Sequence, residues 1–267
     1  MPAALTSSEY DYDVTVTERY ANYICKLWSQ LGARGVSVFF CSNDNGSGGA
    51  PEGNHPRVIP IFTSGCPFVT SVGATIYVND TELAVTKETW QYMRGKNPIF
   101  ISGGGFSSIF ARPKYQEHTV GPYVTSNDLA EKFANVSHFR ANGRGYPDVA
   151  AFGTNLPYVV LGNLKYIGGT SASTPTVAAL IGVLNAYEES KGRPPIGFLN
   201  PWFYSNPAMF NDITGGGANY LCGAHHCHKA LGYPVTKGWD AVTGLGSLHF
   251  GKLQAALDQM AVEGALD

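Results

Sequence analysis

No apolar run in the 267 residues reaches the roughly eighteen needed to cross a bilayer, which excludes a membrane-spanning helix. Charge is scarce: Asp, Glu, Lys and Arg make up 14% of the chain, with 18 basic residues against 20 acidic ones. A net charge of −2 provides no basic face, which argues against nucleic acid as a partner. The opening Met-Pro-Ala-Ala-Leu-Thr-Ser-Ser-Glu has neither a basic segment nor an apolar core, so it does not read as a signal peptide. Internal repeats, low-complexity stretches and composition breaks are also lacking, and a single domain over 1–267 is expected. What is abundant is apolar residues at 44%, with 32 glycines and 15 tyrosines. That mixture suits a large core with many tight turns and excludes a disordered chain.

The five cysteines are Cys25, Cys41, Cys66, Cys222 and Cys227, an odd number that leaves at least one thiol unpaired within the chain. Cys222 and Cys227 fall in a polar, Gly-rich loop where a small ring can close. Cys25 lies on an apolar helical stripe and reads as a buried thiol. His225, His226 and His228 sit among the last two cysteines, but the spacing fits neither a zinc knuckle nor a finger. Three Asn-X-Ser/Thr sequons begin at Asn45, Asn79 and Asn135. With low Lys and high Tyr and Gly, they suit an extracellular protein.

Apolar residues at Tyr20, Ile24, Leu27, Trp28 and Leu31 predict an amphipathic helix over 18–33, capped by Thr17 and followed by Gly35. The β-branched and aromatic run Val36–Phe40 then predicts a buried strand, ending at Ser42-Asn43-Asp44-Asn45-Gly46-Ser47-Gly48-Gly49. Helix, strand and Gly-rich turn in that order describe a parallel α/β sheet, in which ligands bind at the carboxyl ends of strands. Further strands are expected at Val69–Val72, Thr75–Val78, Ile99–Ile101 and Tyr158–Leu161, with a second Gly-rich loop at Ile101–Ser107. The strongest helical pattern covers 171–190, with Pro175 in its first turns, where a missing N–H costs least.

Gly168-Gly169-Thr170-Ser171-Ala172-Ser173-Thr174-Pro175 puts a serine at the start of that helix. Free N–H groups and the positive dipole end there suit a developing oxyanion, and small neighbours admit a peptide backbone. The plain alternative is that Ser171 is an ordinary N-cap. An α/β-hydrolase elbow is excluded, because Ser173 stands where that motif needs glycine.

The segment resembles the nucleophile signature of the sedolisins, serine-carboxyl peptidases related in fold to subtilisin. Similar blocks continue in order: Leu31–Val38, Cys66–Gly73, Arg144–Val149, Gly197–Pro201 and Gly238–Gly244. They are particularly similar to fungal secreted tripeptidyl peptidases. The resemblance implies an α/β, subtilisin-like, mainly parallel sheet flanked by helices, and an enzyme that hydrolyses peptides or proteins. It makes Ser171 the nucleophile and Asp44 the oxyanion donor, with Ser102, Gly103 and Gly104 lining the substrate groove. Because only a protonated acid can donate to an oxyanion, it also implies acidic operation. Asn43 and Asn45 replace the family's glycine and serine beside Asp44.

The family's Glu base and its orienting Asp lie on one helix well upstream of the oxyanion loop. Only 43 residues precede Asp44, and Glu9, Asp11 and Asp13 fall at non-catalytic positions, so the base pair is expected to be absent from this chain. The N-terminal part of the domain would then be missing here and a natural partner for it. The region 208–250 resembles the family's calcium site, with carboxylates from Asp212 and Asp240 and carbonyls from Ile213, Thr236 and Gly238. Oxygen donors of that kind suit a hard cation.

Two other readings remain open. A subtilisin-like triad could use Asp44, His55 and Ser171, although His55 lies in Asn-His-Pro-Arg and only 11 residues after Asp44. Alternatively, the chain is an inactive peptide-binding paralogue or gene fragment.

Overall fold

A computed structural model describes residues 2–48, 57–94, 100–222, 227–228 and 231–262; for 221, 222, 227, 228 and 262 the description extends to the backbone alone. The main sheet runs in the order Ala4–Ser7, Ser37–Cys41, Thr70–Val78, Val149–Phe152, Ser247–Leu248 and Phe210–Asn211. The first five strands pair in parallel. Phe210–Asn211 closes the far side antiparallel, and Thr81–Ala84 pairs antiparallel with the longest strand. The sheet is thus mainly parallel, as the helix–strand–loop pattern predicts.

Both faces of the sheet are covered, which explains the continuous apolar runs. All five residues of Ser37–Cys41 are buried. Phe39 joins Val72, Val149, Val177, Ile181 and Leu184 in the core under the long helix Thr170–Ser190. Its neighbours Val38 and Phe40 point the other way, into a second core with Ala21, Phe62 and Val69 beneath the helix Glu18–Gly32. That helix begins where predicted, with the Thr17 hydroxyl accepting the Tyr20 N–H.

The predicted strands 69–72 and 75–78 are one strand, Thr70–Val78. Gly73 sits in its middle because a Cβ there would lie 2.6 Å from the Val242 carbonyl oxygen. The expected strand at Tyr158–Leu161 is instead half of a separate hairpin, Leu156–Val160 with Asn163–Ile167. Ile101 makes an isolated parallel bridge to Asn45, so the 99–101 strand is reduced to a single contact among the described residues.

Cys25 is not a thiol. It is bonded to Cys66, with 5.6 Å between the Cα atoms, because the apolar stripe that buries Cys25 packs on the short Phe62–Gly65 helix preceding Cys66. Among the described residues the free cysteine is Cys41. The backbones of Cys222 and Cys227 pair antiparallel; their side chains, and His55, His225, His226 and the His228 side chain, lie outside the described residues.

The outer side of the long helix is left open by the described residues. Along it, Leu156, Ala172, Pro175, Ala179, Leu180 and Val183 line an apolar groove. The hairpin beside it exposes Val159, Leu161 (95%) and Leu164. The strand Ala4–Ser7 forms the sheet edge, with Leu5 exposed. Among the described residues, no helix is long and apolar enough to cross a membrane.

Candidate active site

The long helix starts at Thr170, and its cap is Gly169, which has no side chain to satisfy the helix's free N–H groups. Ser171 therefore lies inside the first turn and is not the N-cap. It is exposed at the helix tip, and its carbonyl accepts from the Ser8 hydroxyl at 3.2 Å.

The capping role passes to Asp44. Its Oδ1 accepts the Thr170 N–H at 2.7 Å and the Thr170 hydroxyl at 3.0 Å. The other carboxyl oxygen lies against Gly169, where a Cβ would come within 3.0 Å of it. Asp44 is partly buried, and burial raises its pKa above the usual carboxylate range while the Thr170 bonds pull it back. Burial thus outweighs the two Thr170 hydrogen bonds.

The loop holding Asp44 is shaped by Asn43, which adopts φ +76° and is fully buried. That is the left-handed region glycine favours, and Asn is among the few other residues that enter it readily. The Asn43 side chain ties the turn by accepting the Asn45 N–H at 2.7 Å. The turn is thus held with Asn at this position.

Ser102, Gly103 and Gly104 are all buried, and their N–H groups are spent on Val85, Asn43 and Gly46 carbonyls. The Ser102 hydroxyl donates to the Val242 carbonyl. They pack against the Asp44 loop. A Cβ on Gly103 would stand 1.9 Å from the Ser42 oxygen.

Sequence reasoning passed over three neighbours of this corner. The Tyr10 phenol is raised by burial, then by Tyr12 and by the Asp44 charge. The Cys41 thiol is pushed up to about 11, chiefly by burial, and donates to the Ser8 carbonyl at 3.2 Å. Ser8 itself braces Ser171. Residues 8 and 10 reach the helix tip only through the parallel pairing of Ala4–Ser7 with Ser37–Cys41, which no local motif announces.

Arg144 and Asp148 are fully buried and paired, away from this corner. Asp148 also accepts the Ser71 N–H at 2.7 Å and the Tyr204 hydroxyl at 2.9 Å, and Arg144 donates to the Val69 and Gly145 carbonyls. The pair ties strand to helix and has a structural role.

Asp212 and Asp240 converge on one turn. Asp212 accepts the Gly238 N–H at 2.9 Å, and Asp240 accepts the Thr236 N–H at 3.1 Å. The other Asp240 oxygen takes Val242 N–H, Thr243 N–H and the Thr243 hydroxyl. Burial pushes Asp240 up to about 7. The donor set is all oxygen, Asp212 is exposed while Asp240 is enclosed, and Ile213 is buried beside them. Carboxylate oxygens are donors of the kind a hard cation takes, though among the described residues no group of three or more His, Cys, Asp or Glu side chains comes together.

The fold of this chain is that of the serine-carboxyl proteinases. It superimposes on the solved structure of Pseudomonas sedolisin bound to two molecules of pseudo-iodotyrostatin with a TM-score of 0.72, at 21% identity, over 96% of this chain and 65% of that one. No family model matches. In sequence the chain is 37% identical over 270 residues to the probable tripeptidyl-peptidase SED2 of Arthroderma benhamiae. It is 39% identical over 265 residues to the probable tripeptidyl-peptidase SED4 of the same fungus. The chain is thus similar over nearly its whole length to these tripeptidyl-peptidases in sequence and to a sedolisin in fold. It spans 96% and 95% of its own length in these matches but only 42% and 41% of theirs.

Proposed function

We propose that the chain supplies the nucleophile and oxyanion portion of an extracellular, acid-acting serine peptidase, which cleaves peptides and releases tripeptides or cuts internally. The observation that carries this reading is the Asp44 carboxyl seated on the first N–H of the helix that presents Ser171. In this reading the Ser171 oxygen bonds to the scissile carbonyl carbon, and the carbonyl oxygen takes up negative charge. Protonated Asp44 donates to that oxygen; Thr170 occupies Oδ1, which leaves the oxygen beside Gly169 for the task. The Ser171 proton needs a base, which the family resemblance assigns to a Glu held by an Asp on an upstream helix. The greater length of the relatives leaves room for that segment, which is then the chain's natural partner.

In the same reading calcium is held by the Asp212 and Asp240 carboxylates and the Ile213, Thr236 and Gly238 carbonyls. When bound it neutralises two carboxylates and pins the 236–240 turn. Chelation is expected to lower the melting temperature, with recovery on adding calcium but not magnesium. An unchanged melting curve would sink the metal site.

A second reading, a peptide-binding paralogue without turnover, is favoured by Asn43 and Asn45 replacing the glycine and serine beside Asp44. The deciding experiment incubates the chain, joined to an upstream segment that supplies the Glu base, and its Ser171→Ala variant with peptides bearing free N-termini in the acid range. Tripeptide release lost in the variant supports the peptidase. Retention of a peptide aldehyde without cleavage supports the paralogue, and neither result sinks both.

A further inference from the structure

Asn45 stands next to Asp44 in a sequon that no part of the proposed chemistry uses. The three sequon asparagines, Asn45, Asn79 and Asn135, are all exposed. The buried asparagines of the described chain, Asn43, Asn185, Asn200 and Asn219, all lie outside sequons. Asn45 also sits in a loop whose backbone is fixed: its N–H is held by Asn43 Oδ1, its carbonyl accepts from Gly48, and it bridges Ile101. Its side chain is thus directed outward without disturbing the turn.

A second observation comes from elsewhere in the chain. The Cys25–Cys66 disulfide places folding in an oxidising compartment, where glycosylation of such sequons takes place. We propose that Asn45 carries an N-linked glycan, set one residue from the oxyanion carboxyl, which screens the Ser171 corner from bulky chains while admitting short peptides. In the modifying step the Asn45 amide nitrogen bonds to the anomeric carbon of an oligosaccharide carried on a polyprenyl pyrophosphate. The anomeric carbon–oxygen bond breaks, the amide proton passes to a base, and the polyprenyl pyrophosphate leaves.

The screening half rests on the peptidase reading; the glycan half does not. The test secretes the chain from a yeast host and maps glycans by mass spectrometry, using enzymatic release in heavy-oxygen water to mark each former glycan site. Label at position 45, and loss of one glycan's worth of gel mobility in Asn45→Gln, are expected. Unmodified Asn45 in protein that is glycosylated at Asn79 and Asn135 overturns the glycan. For screening, the probes are a short peptide aldehyde and the same aldehyde coupled to a large dextran. Deglycosylation is expected to raise retention of the dextran form several-fold and leave the free form unchanged. Equal response of both probes, or binding of neither, overturns screening, while the mass map alone decides the glycan.

Discussion

At the scale of single residues, a half-buried and a fully buried acid do opposite work. On the proposed reading Asp44 gives up a hydrogen bond, and its raised pKa keeps the proton on to higher pH than an exposed aspartate would. Donation is therefore present at low pH and lost as pH rises through that raised value. Binding of a peptide aldehyde, followed by fluorescence, is expected to weaken across the same window and to lose its pH dependence in Asp44→Ala. In a reconstituted peptidase that variant should lose about 10²- to 10³-fold in turnover. Binding that strengthens towards neutral pH contradicts the assignment. Asp148 instead locks Arg144 inside the fold. Arg144→Met leaves a buried carboxylate without its cation and should cost roughly 3–5 kcal/mol in urea unfolding. A loss under about 1 kcal/mol would show that the pair contributes little net stability.

At the scale of elements, the two long helices were legible because their apolar spacing is local. The strand Thr70–Val78 was read as two because Gly73 interrupts its apolar pattern for a reason, the Val242 carbonyl, that lies far along the chain. The disulfide was hidden in the same way. Cys25 looks like any core position of its helix, and its partner stands 41 residues on. The Ser171–Asp44 corner was legible only through family resemblance, since neither residue's spacing requires the other. The cross-link closes a loop long enough that removing it with Cys25→Ala and Cys66→Ala should cost about 4 kcal/mol on loop-entropy grounds. Guanidinium unfolding of that double variant measures it, and an unchanged midpoint means that the bond constrains little.

At the scale of the whole molecule, the apolar groove along the Ser171 helix, the exposed hairpin and the Ala4–Ser7 edge are left uncovered by the described residues. Apolar surface of this kind promotes association, and an unpaired edge strand offers a template for it. The isolated chain is expected to self-associate with rising concentration in sedimentation velocity, and Leu161→Glu with Leu164→Glu should reduce it. A monodisperse monomer at high concentration would mean that this face is adequately solvated as it stands.

The tight seat of Gly103 has a practical side. Its missing methyl is the clearance on which the loop beneath Asp44 rests, so Gly103→Ala pushes that loop while leaving the far end of the serine helix untouched. On the proposed reading, such a variant separates the attacking group from its polarising companion with one carbon atom. It would serve as bait, keeping the nucleophile in place while slowing its use, for fishing natural targets out of a mixture.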